Sequence, residues 1–153
     1  MRFELPDGTS VTHDIHVHRT RVELPDGTAV TAVTFLGDGP YDRDPVPDFG
    51  LYLEERWDPP WAHEHVDWPD FGLPGDATGL RTALADLLDR ARAGDRVELG
   101  CLGGHGRTGT ALACLAVLTG TPPGDALEWV QAHYCPQAIE NDAQRGFVEK
   151  FGG

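Results

Sequence analysis

The sequence predicts an α/β fold: a central, mostly parallel sheet flanked by helices, with β-hairpins added at the N-terminus. Three observations predict it. In the second half, short β-prone segments alternate with amphipathic or apolar helical segments, the pattern of a sheet built by crossovers. A glycine-rich turn, GCLGGHGRTGT (100–110), joins a strand to a helix, at the place where such sheets bind ligands. Near the N-terminus a hairpin signal occurs twice, FELPDGTSVT (3–12) and VELPDGTAVT (22–31), each with Pro-Asp-Gly between β-prone runs.

Two copies are too few for a solenoid, which needs about three repeats. They read as a β-meander that extends or caps the main sheet. We assign 1–37 to this extension and 38–153 to a catalytic core, together one domain of 153 residues. GDGPYDRDPVPD (37–48) is a loop by composition and is expected to border the site. FGLYLEERW reads as a strand, and HEHVDW as another that leads into WPDFGLP (68–74). Over 79–93, Leu80, Leu84, Leu87, Leu88 and Ala91 fall on one helical face, and Gly94 stops the helix. RVELG alternates Val97 and Leu99 with polar residues, as a strand does, and ALACLAVL (111–118) is apolar on every side, as a buried helix is. A further helix is predicted to start near Thr121, with Pro122 in its first turn and Leu127, Val130 and Tyr134 facing inward. The last helix has Asn141 as cap and Gln144 at the capping-box position.

The charge balance narrows the partners. Lys and Arg number 12 and Asp and Glu 25, for a net charge of −13. That argues against nucleic acid and anionic membranes as partners, while leaving room for a local basic pocket. The three cysteines, Cys101, Cys114 and Cys135, suggest no disulfide framework. Cys114 reads as packing. No N-terminal apolar stretch suits a signal peptide, and the apolar run 111–118 is too short to cross a bilayer. A cytoplasmic protein is expected.

The chemistry concentrates in the glycine-rich turn. Gly103, Gly104 and Gly106 allow backbone N–H groups to converge, and the helix that follows adds its own orphan N–H groups and positive dipole end. The product is a cup for a tetrahedral oxyanion, formed by the amides of Leu102, Gly103, Gly104, His105 and Gly106. The planar fork of Arg107 can grip two phosphate oxygens. Cys101, at the base of the cup, is held as thiolate by the same positive field and becomes a nucleophile aimed at phosphorus. Thr108 is placed to donate a hydroxyl hydrogen bond to that sulfur. An inert buried thiol in a nucleotide-binding turn is the plainer alternative, but the turn has no lysine and does not fit G-x4-G-K-[ST].

Upstream, Asp70 stands in WPDFGLP between two prolines and beside Gly72. A carboxylic acid on a pivoting loop is a proton source for a departing oxygen. Trp-Pro-Asp followed by Cys-x5-Arg-Thr-Gly resembles the cysteine-dependent protein tyrosine phosphatases, over roughly residues 47 to 151. The resemblance implies a protein-tyrosine-phosphatase-like α/β fold, Cys101 as nucleophile, Asp70 as general acid and Arg107 as phosphate ligand. It also implies that CPQAIENDAQRGFV (135–148) orients the hydrolytic water, with Gln144 in the second glutamine position of the family and Glu140 in the first. Gly100 stands where the family usually has histidine. The chain has the length of the dual-specificity branch but an acid loop like that of the tyrosine-specific branch. Tyr41 and Tyr52 are candidates for pocket walls. No cofactor and no metal is expected, and the substrates are phosphorylated proteins or small phosphate esters.

Other chemistries are weaker. HDIHVH (13–18) sets Asp14, His16 and His18 on one strand face, and HEH adds His63 and His65, a pattern that can bind zinc. Rhodanese-type transferases and some arsenate reductases also use a cysteine loop, but have no need of the acid loop. Non-protein phosphate esters and a catalytically inactive phosphate-binding module complete the alternatives. Relatives that act on phosphoinositides often carry lysines in the loop, where this chain has only His105.

Overall fold

The computed structural model describes residues 2–4, 10–12, 19–34, 42–43, 45–54, 57–68, 74–101, 106–136, 138–139 and 141–151. Strands β1 (Arg2–Glu4) and β2 (Ser10–Thr12) pair antiparallel as a small sheet of their own. Strands β3 (Arg19–Glu23), β4 (Ala29–Thr34), β5 (Phe49–Tyr52), β6 (His63–His65) and β7 (Val97–Cys101) form the main sheet in the order β3-β4-β7-β5-β6. The β3–β4 pair is antiparallel and every other pairing in this sheet is parallel. The second Pro-Asp-Gly copy thus supplies a hairpin that extends the main sheet. Its turn closes because Gly27 adopts φ +88°, while the Asp26 side chain accepts from Thr28 N–H at 3.0 Å.

The helices are α1 (Ala77–Arg92), α2 (Gly106–Leu118), α3 (Ala126–His133), preceded by a 3-10 turn at Pro123–Asp125, and α4 (Asp142–Phe151). Helix α1 begins two residues before the predicted start because the Asp76 side chain caps it, accepting from Gly79 N–H at 3.0 Å. Leu80, Leu84, Leu87 and Leu88 are buried, and Gly94 at φ +101° ends the helix region. Each such leucine adds about 1.5–3 kcal/mol of burial free energy. The helix predicted near Thr121 starts later, at Ala126, since Pro122 and Pro123 shape the short 3-10 turn first. Val130 is buried there, and Leu127 and Tyr134 are half-buried. Helix α2 is buried from Gly106 to Ala116.

One face of the sheet carries Val30, Ala32, Phe49, Leu51, Val97, Leu99 and Cys101 into a core shared with all four helices. The other face holds a second cluster of Val33, Tyr52, Trp57 and Trp61. Glu98 belongs to that second face. Alternation in the sequence leaves it facing solvent, but in the structure it is buried. Arg43 donates to both of its carboxylate oxygens, from Nε at 2.5 Å and Nη2 at 3.2 Å. Tyr52 donates its O–H to Glu98 at 3.0 Å and accepts from Trp61 Nε1 at 2.7 Å. Tyr52 is therefore a buried scaffold residue and not a pocket wall. Tyr41 lies outside the described residues.

Candidate active site

Cys101 is the last residue of β7 and is buried. Parallel neighbours on both sides, β4 and β5, bring its carboxyl end to the rim of the sheet where loops converge. Helix α2 starts five residues later at Gly106, so the turn between strand and helix is as short as the sequence implies. Thr108, in the first turn of α2, donates its hydroxyl to Cys101 Sγ at 2.9 Å. Leu102, Gly103, Gly104 and His105 lie outside the described residues, as does Asp70.

Arg107 is 3% exposed and anchored at one end of its guanidinium. Its Nη1 donates to the carbonyl of Leu53 at 2.7 Å and that of Trp68 at 3.0 Å. The Glu54 carboxylate stands 3.5 Å from the same nitrogen. Leu53 follows β5, and Trp68 begins the segment WPDFGLP. Arg107 thus ties the residue that follows β5 to Trp68, which stands two positions before Asp70. The base of that segment is closed by Gly75 N–H donating to the Asp67 carbonyl at 3.0 Å. Trp68 is buried, with its ring 6.2 Å from that of Phe147 on α4. Glu54 was not legible in the sequence, which offers only a carboxylate directly after a strand.

Gln144 is fully buried on the first turn of α4, and its N–H donates to the Asn141 side chain at 2.9 Å. Half of the capping box is therefore present, and the Gln144 side chain is buried with it. Glu140 lies outside the described residues. The segment before α4 approaches α2 closely: a Cβ on Gly109 would lie 2.6 Å from Ala138 Cβ and 3.0 Å from its Cα. Ile139 takes φ +67° there, a left-handed conformation that β-branched residues rarely adopt. Burial, chiefly, pushes the Tyr134 phenol up. Burial likewise pushes the Cys114 thiol up, as befits a packing residue.

The histidine reading comes out differently. His63 Nδ1 lies 2.7 Å from the Trp61 carbonyl, and His65 Nε2 bonds the Trp57 carbonyl. These rings fasten the 57–61 segment to β6. Asp14, His16 and His18 lie outside the described residues, and among the described residues no three potential metal ligands cluster. A cavity of about 720 Å³ adjoins Asp95 to Glu98 at the opening end of β7, far along the strand from Cys101, and includes none of the predicted site residues.

No family model matches the chain. Two proteins of Methanocaldococcus jannaschii, both named as uncharacterized, are similar to it. MJECL20 is 31% identical over 112 residues, covering 66% of this chain and 74% of its own. MJ0215 is 44% identical over 113 residues, covering 66% and 68%. A protein of Invertebrate iridescent virus 3 named "Putative tyrosine phosphatase 067L" is 30% identical over 110 residues, with 45% of its length covered. Among solved structures, the active form of Tk-PTP superposes with a TM-score of 0.69 at 24% identity, covering 86% of this chain and 95% of that one. Human DUSP28 superposes with a TM-score of 0.70 at 14% identity, covering 92% and 97%. The chain belongs to one family with MJECL20 and MJ0215, and its fold is that of the cysteine-dependent protein tyrosine and dual-specificity phosphatases.

Proposed function

We propose that the protein is a phosphoric monoester hydrolase that dephosphorylates phosphotyrosine, and phosphoserine or phosphothreonine where the pocket admits them, through a phosphocysteine intermediate. The observation that carries this reading is the Thr108 hydroxyl on Cys101 Sγ at 2.9 Å, one residue from an arginine clamped by two backbone carbonyls. A hydrogen-bond donor on sulfur favours thiolate over thiol. Nη1 is spent on the scaffold, which aims the guanidinium as a rigid plane at whatever anion fills the turn.

The Cys101 thiolate attacks phosphorus and forms the S–P bond as the bond from phosphorus to the leaving oxygen breaks. Asp70 gives its proton to that oxygen. The amides of residues 102–106 and Arg107 carry the charge of the equatorial oxygens through both steps. Water, oriented by Gln144 with Glu140 alongside, then attacks phosphorus. Asp70 takes the water proton, the S–P bond breaks, and the electron pair returns to sulfur. A working thiolate needs a reducing compartment, so the cytoplasm is the place for it. No described helix is long and apolar enough to cross a membrane.

Assay of a phosphopeptide panel tests the reading, with Arg107→Lys beside the parent. An ammonium cannot reproduce the planar fork, so this variant is expected to lose both affinity and rate. Near-normal kinetics for Arg107→Lys would mean that the guanidinium does not hold the phosphate. An enzyme that ignores every phosphopeptide but cleaves small phosphate esters would move the substrate class to the latter.

A further inference from the structure

We propose that the cavity at the opening end of β7 is a docking groove for an extended acidic segment of another polypeptide, held by the arginines that line it. The groove is separate from the phosphate turn and does not depend on the phosphatase reading. From Val97, which lines the cavity, β7 runs four residues to Cys101, about 13 Å at the rise of a strand. Cys101 also belongs to the helical face of the sheet, whereas Glu98 and the groove belong to the other.

The charge of the groove runs against that of the chain. The protein carries 12 Lys and Arg against 25 Asp and Glu. Four of the 12, Arg19, Arg21, Arg43 and Arg96, line this one cavity, against three acids, Asp42, Asp95 and Glu98. The buried Glu98 already receives Nε and Nη2 of Arg43. Burial first, and the Arg43 charge second, lower the Arg19 pKa, while Glu98 and Asp42 raise it. Arg19 and Arg43 are thus close enough to repel, and an added anion stabilises both.

The floor suits an extended chain. Arg21 of β3, Thr31 of β4 and Glu98 of β7 stand in one row across the sheet. Arg19 lies two residues from Arg21 on the same strand face, about 6.5–7 Å away. Acidic side chains at alternate positions of an extended peptide have that same spacing. Arg21 pairs with Glu23, but both side chains are 65% exposed, so the pair competes weakly with a ligand. Pro45 and Pro47 also line the groove, and Val46 between them is 53% exposed. This apolar lip suits a peptide, whereas a small inorganic anion makes no use of it.

Fluorescence anisotropy with a short, labelled, unphosphorylated peptide of alternating Glu and Ala tests this, beside the same peptide with Lys in place of Glu. The parent should bind the Glu peptide in preference, and more weakly as salt rises. Arg21→Glu with Arg96→Glu alters two exposed side chains outside the phosphate turn. This double variant should bind the Glu peptide on the order of tenfold more weakly, the scale of two exposed ion pairs. Its turnover of a nitrophenyl ester should equal that of the parent. Arg21→Gln with Arg96→Gln serves where the charge reversal does not fold. Inorganic phosphate at constant ionic strength should not displace the peptide. No binding by the parent, equal binding of the Glu and Lys peptides, or equal binding by a folded double variant overturns the proposal. Displacement by phosphate also overturns it, since the peptide then occupies a small-anion site. Self-association of the parent in sedimentation velocity, abolished in the double variant, overturns it too, by making a second copy of this chain the occupant.

Discussion

Asp70, the proposed general acid, is the residue whose value should depend most on the substrate. Tyrosine leaves as a phenol with a pKa of about 10 and needs a proton, whereas nitrophenolate needs one far less. Asp70→Ala should slow phosphotyrosine hydrolysis by about 10² to 10⁴, the usual range for general acid catalysis, and the nitrophenyl ester by less. Asp67 and Asp76 are the controls that the fold itself provides. Asp76 caps α1 through Gly79 N–H, and the Asp67 carbonyl accepts from Gly75 N–H. Asp76→Ala should therefore cost stability, about 0.5–2 kcal/mol for a lost cap, with no leaving-group dependence. Steady-state kinetics on the two substrates checks both expectations. Leaving-group dependence in the Asp76 variant and none in the Asp70 variant would reassign the acid. Cys101, Thr108 and Arg107 drew attention because they share one short motif, and the structure brings them together at the end of β7; Asp70, proposed from one loop, lies outside the described residues. Glu54 was not legible, because it meets Arg107 across 53 positions of sequence, and only the fold makes them neighbours.

At the scale of elements, the strand–turn–helix unit and α1 were the most legible, since their signals are local: an apolar face at helical spacing, a cap, a terminating glycine. The partnership of α2 with the segment before α4 was hidden. Its signature is Gly109, which in the sequence reads as one more glycine in a flexible turn. In the structure it is a contact surface: the absence of a β-carbon lets Ala138 and Ile139 pack against the first turn of α2. That contact sets the entry of α4, and with it Gln144. Gly109→Ala should force the 138–139 segment outward, because the obstructing atoms include backbone. The expected result is a destabilisation of about 1–3 kcal/mol from overpacking, read from denaturant unfolding, with a loss of turnover larger than the loss of phosphate affinity. Equal stability and full activity would mean that the close approach has no part in placing Gln144.

Over the whole molecule, the sheet is two-sided, and only one side was foreseen. The helical side follows from apolar periodicity. The other side is covered by Arg43, from a stretch that reads as loop, and by Trp57 and Trp61, so the burial of Glu98 and Tyr52 had no local sign. Gly50 shows how closely this side is packed: a Cβ there would lie 2.2 Å from the Tyr52 hydroxyl oxygen. Burial, then the charge of Glu98, pushes the Tyr52 phenol up. The native state therefore holds the proton that the unfolded chain releases near pH 10. The sign follows: this contribution is complete below about pH 10 and is lost as the pH rises above it. Tyr52→Phe should unfold less steeply with alkali. It should also be about 1–3 kcal/mol less stable at neutral pH, since Glu98 and Trp61 each lose a partner in a buried setting. Thermal melts across pH 7 to 11 check this, and parallel curves for the two proteins would contradict it.

The central claim is that Cys101 forms a covalent bond to phosphorus. Acid quenching during turnover of an aryl phosphate, followed by mass spectrometry of the digested protein, tests it most directly. The account predicts one phosphoryl group on the peptide that contains Cys101, accumulating further in Asp70→Ala with the nitrophenyl ester and absent from Cys101→Ser, which should show no turnover. Turnover that persists in Cys101→Ser, or a phosphoryl group found on another residue, would contradict it.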